Sequence, residues 1–222
     1  MCGIAGVVRL DGGAVDASPL EPMLDAIAHR GPNGRGTWAA GPVALGHVRL
    51  SVMDLSAHAH QPMTTADGSG VLVYNGEVYN FPALRAELER EGAAFESHGD
   101  SAVVLEALHR WGPETAIPRF DGMFALAYLD RRDETLWLAR DRIGIKNLSL
   151  VERNGVFVFG SEIKALLAHP AIPARFDPQE LTHFGVYGAQ SGRATLFDGV
   201  RPLPCGTILR VRGSTRDERR YY

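Results

Sequence analysis

The second residue of the chain is a cysteine, and its position matters more than its type. Initiator methionine is normally removed ahead of a small side chain, which would leave Cys2 with a free α-amine beside its thiol. An α-amine has a pKa of about 7.7–8.0, so at neutral pH a useful fraction is uncharged and able to accept the thiol proton. One residue then carries both nucleophile and base. Taken alone, Cys2 reads as a small buried hydrophobe at a strand start. A thiol that attacks an amide needs N–H donors aimed at the developing oxyanion. The run Val73-Tyr74-Asn75-Gly76-Glu77-Val78-Tyr79-Asn80 offers a side-chain amide at Asn75 and a backbone N–H at Gly76, where a missing Cβ lets the chain approach a ligand. In isolation, Asn-Gly is a hairpin turn. An amino-acid substrate also needs a cation for its carboxylate and an anion for its ammonium group. Arg49 closes an apolar strand with a planar fork suited to a carboxylate. Asp100, in Ser97-His98-Gly99-Asp100-Ser101, stands ahead of a helix. A solvated strand-end arginine and a helix N-cap are the plain readings of these two residues by themselves.

Short apolar runs near Gly, Asp or Asn predict strands over Gly3–Arg9, Val43–Leu50, Gly70–Tyr74, Gly122–Leu129, Thr135–Ala139 and Gly155–Phe159. Helices are predicted over Leu20–His29, Phe81–Glu91, Ser101–Trp111, Ser161–Leu167 and Pro178–Phe184. In the second of these, Phe81, Leu84 and Leu88 share a face and Arg85, Glu87, Glu89 and Arg90 turn to solvent, with Asn80 as N-cap and Gly92 as the stop. Ser161-Glu162 and Asp177-Pro178 are start signals of the same kind. Strands cluster between helices without regular βαβ alternation, which predicts an α+β fold with sheets between helical layers. The stretch from Gly199 onward predicts a last strand, with 213–222 as a polar exit segment.

Composition narrows the function classes. With 222 residues, 23 basic against 26 acidic side chains and a net charge of −3, the chain has none of the basic excess of a nucleic-acid binder. Hydrophobic residues at 45% and charged residues at 22% describe a folded domain, and no apolar run reaches the roughly 18 residues that span a bilayer. The first apolar stretch, Cys2 to Val8, is too short and lacks the basic flank of a signal peptide. Cys2 and Cys205 cannot make a disulfide framework, and the expectation is a cytoplasmic, reducing setting without membrane or nucleic-acid partners.

The candidate residues sit in seven motifs in a fixed order: Met1-Cys2-Gly3-Ile4-Ala5-Gly6, His29-Arg30-Gly31-Pro32, Gly46-His47-Val48-Arg49-Leu50-Ser51, Tyr74-Asn75-Gly76-Glu77-Val78-Tyr79-Asn80, Asp121-Gly122-Met123-Phe124-Ala125, Ala139-Arg140-Asp141-Arg142-Ile143-Gly144-Ile145-Lys146 and Ser161-Glu162-Ile163-Lys164-Ala165-Leu166. Together they resemble the class II glutamine amidotransferase (Ntn-hydrolase) domain of glutamine-hydrolysing asparagine synthetases, from Cys2 to about Gly206. The resemblance implies a four-layer αββα sandwich, with two antiparallel sheets between helical layers, that releases ammonia from L-glutamine. It implies Cys2 as nucleophile with its α-amine as base, Asn75 and the Gly76 amide as oxyanion hole, and Arg49 on the glutamine carboxylate. It places Asp100 and Glu77 on the α-amino group and the backbone around Leu50 and Val52 along the pocket.

The same resemblance implies a partner. Asparagine synthetases continue into an ATP-dependent domain with a Ser-Gly-Gly-rich pyrophosphate loop, and neither that loop nor a Gly-x-x-x-x-Gly-Lys cradle occurs here. No cofactor is expected in this chain; ATP and magnesium belong to a synthetase domain or subunit that amidates a carboxylate, aspartate by default. The sequence departs from the family at Asn147-Leu148-Ser149, where Pro-Leu-Tyr is usual, and at Cys205, where Pro is common. Two other readings stand beside this one: an Ntn amidase for a different small amide, and a silent module that docks a synthetase. Asp54, His58 and His60 have metal-ligand types but too few companions for a site, and read as a solvated loop. His29 reads as a structural hydrogen-bonding residue, Asp141-Arg142 as an ion pair or turn, and Cys205 as an inert small residue.

Overall fold

A computed structural model describes residues 1–189, 192 and 194–222. In chain order the elements are β1 (Gly3–Arg9), α1 (Leu20–Ala26), β2 (Gly34–Ala40), β3 (Val43–Arg49), β4 (Met63–Thr64), β5 (Gly70–Val78), α2 (Phe81–Arg90), α3 (Asp100–Trp111), α4 (Pro113–Ala116), β6 (Gly122–Asp130), β7 (Thr135–Arg140), β8 (Ser149–Arg153), β9 (Val156–Gly160), α5 (Ile163–Leu167), α6 (Pro178–Tyr187), β10 (Arg201–Pro202), β11 (Thr207–Arg212) and β12 (Thr215–Arg220). The strands form two six-stranded antiparallel sheets, ordered β10-β8-β9-β1-β3-β2 and β12-β11-β7-β6-β5-β4.

Side-chain alternation explains the layering. In β1, Ile4 and Val8 face the second sheet while Ala5 and Val7 face α1 and α5. In β5, Val71 and Val73 meet the first sheet while Leu72 and Tyr74 pack under α2 and α3. Both faces of these strands are therefore buried, which is why they read as continuous apolar runs. Each fully buried aliphatic or aromatic side chain contributes about 1.5–3 kcal/mol of transfer free energy. The expected four-layer αββα sandwich is the observed architecture.

The elements differ from expectation in instructive places. The strand expected to stop at Tyr74 continues to Val78, because pairing with β6 runs on through Asn75↔Ala125, Gly76↔Phe124 and Glu77↔Met123. Asn75-Gly76 is thus mid-strand and not a turn; nine paired residues outweigh a dipeptide preference. A Cβ on Gly76 would lie 2.5 Å from the Met123 carbonyl oxygen, so packing across the ladder requires the glycine there. Residues 213–222, expected to exit, turn back at Gly213 instead. Arg216 to Arg220 pair with β11 as the edge strand β12, and charge on such an edge discourages further pairing. Asp177 caps α6 through Gln179 N at 2.8 Å. Asn80 stands at the N-cap of α2, yet its side chain bonds Arg119 O and Asp121 N. Ser161 accepts from Ile4 N at 3.0 Å, tying α5 to β1. No helix among the described residues is long and apolar enough to cross a membrane.

Candidate active site

The start of β1 and the end of β3 in the first sheet meet the open edge of β5 in the second, and a cleft of about 150 Å3 lies between them. The register Gly3↔Val48 brings Cys2 alongside the corner at Arg49 and Leu50. There the Leu50 N–H points at Cys2 Sγ at 3.4 Å and the Leu50 carbonyl lies 3.6 Å from the same sulfur. Behind the thiol, Arg30 Nε donates to the Cys2 carbonyl at 2.9 Å, and Arg30 is held in turn by Glu162 at 2.8 Å. The backbone of the nucleophile candidate is pinned from one side and its sulfur from the other.

β5 builds the opposite wall. β4 pairs only with Val71 and Leu72, so from Tyr74 onward one edge of β5 has no strand partner. The Tyr74 N–H donates across that edge to Gln61 Oε1 at 2.6 Å, and the Val78 N–H to Asp100 Oδ2 at 2.9 Å. Gly76 lies midway, and the period-2 pleat turns its N–H to the same edge, into the cleft. Asn75 is 2% exposed, and its Nδ2 has no hydrogen-bond partner among the described residues. A buried amide donor without a partner costs about 1–3 kcal/mol unless something supplies an acceptor. Side-chain amide and backbone N–H at adjacent positions make a two-donor site suited to a developing oxyanion.

The third wall is a loop, and it is tied down by the residues expected to bind substrate. Arg49 is 6% exposed and buried among polar partners: Nη1 donates to Ser56 O at 3.0 Å and Nη2 to Asp54 O. Asp54 accepts from Ser97 Oγ at 2.7 Å and His98 N at 3.0 Å, and hydrogen bonds from Ser56 and Ser97 hold its carboxyl well below the usual carboxylate range. Asp54 lies in a largely exposed loop, as expected, and it is also the staple that fastens that loop to the approach of α3. His58 pairs outward with Glu96 at 3.1 Å.

Asp100 is the first residue of α3, with Gly99 at the cap position, so the N-cap reading is corrected. Its Oδ2 accepts from Tyr74 Oη at 2.7 Å, and burial raises its pKa. The same environment drives the Tyr74 hydroxyl well above its ordinary value, chiefly by desolvation. Asp100 is therefore a fixed acceptor in the wall of the cleft.

Cys2, Arg49, Leu50, Val52, Asn75, Gly76, Glu77 and Asp100 all line this one cleft, with Val52 at its exposed rim. Sequence reasoning missed several of their supports. His47 Nε2 donates to the Tyr74 carbonyl at 3.2 Å, bridging the two sheets, and burial lowers the pKa of this imidazole to about 3. Gln61 had no local signal; Arg30 and Glu162 lay inside recognisable motifs without an assignable role at the site. His29 is a hydrogen-bonding residue, as expected, with Nε2 3.0 Å from Glu162. Asp141 does not pair with Arg142; the turn alternative holds, and the fully buried Asp141 carboxylate accepts three backbone N–H groups of that turn, from Ile143, Ile145 and Lys146, and a fourth from Phe124 in β6. Arg142 reaches Asp121 at 3.5 Å. No group of three or more potential metal-binding side chains occurs among the described residues.

A family model described as a glutamine amidotransferase domain matches residues 1–222. The chain is 36% identical over 207 residues to "Asparagine synthetase [glutamine-hydrolyzing] 3" of Bacillus subtilis (strain 168), covering 91% of this chain and 33% of the relative. It is 37% identical over 231 residues to a putative glutamine-hydrolysing asparagine synthetase of Mycobacterium tuberculosis (strain ATCC 25618 / H37Rv), covering 96% and 35%. The chain thus spans about a third of the length of these curated relatives. Among solved structures, the glutamine phosphoribosylpyrophosphate amidotransferase from B. subtilis superposes with a TM-score of 0.72 at 19% identity, over all of this chain and 49% of that one, a likeness of fold.

Proposed function

The chain belongs to the glutamine amidotransferase domain family, as a class II domain of the asparagine-synthetase type, and on that premise we propose that it hydrolyses L-glutamine to glutamate and ammonia through the thiol of Cys2. The observation that carries this reading is the unpartnered, buried Asn75 Nδ2 in the same cleft as a thiol held by the Leu50 corner.

Removal of Met1 frees the α-amine of Cys2. The neutral amine takes the thiol proton as sulfur attacks the side-chain carbonyl of glutamine, forming the S–C bond and a tetrahedral oxyanion. Asn75 Nδ2 and the Gly76 N–H receive that oxyanion. As the intermediate collapses, the C–N bond breaks and the amine's proton goes to the departing nitrogen, which leaves as ammonia. Water then attacks the glutamyl thioester, giving its proton to the amine. Glutamate leaves, and the proton returns to the thiolate. Arg49 takes the α-carboxylate with the donors that its loop contacts leave free, while Asp100 and Glu77 face the α-ammonium group.

The ammonia passes to an ATP-dependent synthetase domain or subunit that amidates a carboxylate, with aspartate as the default acceptor; the threefold greater length of the relatives supports such a partner. A thiol nucleophile suits a reducing, cytoplasmic setting. The test is ammonia and glutamate release from L-glutamine by untagged protein whose Met1 removal is verified by intact mass, beside Cys2→Ala. Loss of at least about 10³-fold in Cys2→Ala is expected. Preference for D-glutamine or L-asparagine would point to an amidase of other specificity. Absence of turnover in processed protein, even with synthetase and acceptor added, would leave a docking module.

A further inference from the structure

The cleft contains a cation that the proposed reaction has not yet used. Lys146 lines it and is 5% exposed, and among the described residues its Nζ makes one polar side-chain contact, with Met1 Sδ at 3.2 Å. No carboxylate lies within ion-pair distance of that ammonium among the described residues. Lysines so fully buried are almost always paired. This one is held in place at some cost, and its backbone shows how. Asp141 accepts the Lys146 N–H at 2.9 Å, and Arg140 donates to the Lys146 carbonyl at 2.8 Å and to Gly144 O at 2.9 Å. A buried carboxylate and a guanidinium thus clamp the loop after β7 so that its one lysine points into the cleft at Met1.

Met1 is the residue whose removal would expose the Cys2 amine, and Lys146 touches it. The other charged groups around the cleft have fixed hydrogen-bond partners or line its β5 wall. Asp54 is bonded to Ser97 and His98 and Asp100 to Tyr74 and Val78. Glu77 lines the β5 wall. Arg30, on the other side of the nucleophile, is neutralised by Glu162. Arg49, like Lys146, has no carboxylate partner among the described residues, but its fork is taken up by the carbonyls of Asp54 and Ser56. Of the two cations, Lys146 is the one that touches Met1.

We propose that Lys146 is a positioning residue for the proton transfer: its ammonium, left unpaired beside Met1, disfavours protonation of the freed Cys2 amine and favours the thiolate, keeping the amine available as base near neutral pH. A like charge in a partly desolvated site lowers the pKa of an amine, and an opposite charge stabilises a thiolate. This inference rests on the Cys2 reading above.

The test compares processed wild type with Lys146→Met, which keeps the length and removes the charge, and Lys146→Arg, which keeps the charge. Two profiles are recorded against pH: kcat/KM for L-glutamine, and the rate of Cys2 alkylation by iodoacetamide followed by intact mass. Lys146→Met is expected to move the acid limb of both profiles upward by about one pH unit, the order expected for loss of a neighbouring unit charge in a medium of intermediate dielectric. Lys146→Arg is expected to stay near wild type. Coincident limbs in wild type and Lys146→Met, or equal displacement in both variants, would overturn the inference, and matched thermal melting would show that both variants are folded. Alkylation needs no glutamine turnover. A shifted alkylation limb without glutaminase activity would therefore sink the substrate reading and leave the role of Lys146 standing, while glutaminase activity with unmoved limbs would do the reverse.

Discussion

The cleft has two walls built on different principles. On the β5 side, Asn75 and Gly76 lie inside a nine-residue ladder with β6, and their directions follow from the pleat. On the other side, Leu50 to His60 form a loop with little regular structure, held by the Arg49 fork and by the Asp54 contacts to Ser97 and His98. The strand wall carries the groups that would meet a developing charge. The loop wall, with Val52, Met53 and Leu55 exposed, carries the rim past which the proposed substrate would enter. Reaction chemistry demands fixed donors, because electrostatic stabilisation is effective only when nothing has to reorganise. Recognition tolerates a tethered loop, and Arg49 serves it twice, as a tether and as the proposed carboxylate site.

Substitution separates the two walls. Asn75→Ala removes one donor from the strand wall, and kcat for glutamine is expected to fall about 10²–10³-fold with KM little changed. A KM effect as large as the kcat effect would mean that Asn75 binds the ground state, and the contrast between walls would fail. Arg49→Lys keeps the charge but loses the planar fork on the loop wall. Here KM is expected to rise by about 10-fold or more with a smaller change in kcat, since a point charge cannot hold two carbonyls and a carboxylate together. Steady-state kinetics on both variants decides whether the division between chemistry and recognition is real.

The smallest effect concerns what joins the two sheets beneath the strand wall. His47 is buried and neutral, with its folded pKa lowered to about 3 against an ordinary value near 6.5. Below about pH 6.5 the unfolded chain gains a proton at this site that the folded one does not, so stability is lost as pH falls from about 6.5 toward 3. The slope from this one group approaches about 1.4 kcal/mol per pH unit. Denaturation curves between pH 7 and 4 should show that His47→Gln loses this part of the slope. An unchanged slope would mean that His47 is charged in the fold or already satisfied in another way.

Much of the fold was legible because burial on both strand faces leaves uninterrupted apolar runs, as in Gly3–Arg9 and Thr135–Arg140. The strands that escaped notice are the edges and the short interior strand β8. β2 carries Gly, Arg, Thr and Trp in half-exposed alternation, and β12 is almost wholly charged. Their backbone pairing, and not their side chains, makes them strands, and pairing with a distant partner leaves no local trace. Asn75-Gly76 shows the same limit from the other direction: its local preference is a turn, and only the ladder with β6 shows that it lies within a strand.

By itself the sequence determined which chemistry the chain can attempt: a thiol at position 2, an amide and a glycine N–H at 75 and 76, a guanidinium at 49 and a carboxylate at 100, in motifs ordered as in one family. Those are properties of residue type and order. Tertiary structure alone decided that the eight candidates share a single cleft, that Arg49 is a tether as well as a cation, that Asp100 is anchored to β5, and that Lys146 stands unpaired beside Met1. These depend on register between strands far apart in the chain and on which buried charges find partners. Both are set by the packing of the two sheets, which no local window of sequence contains.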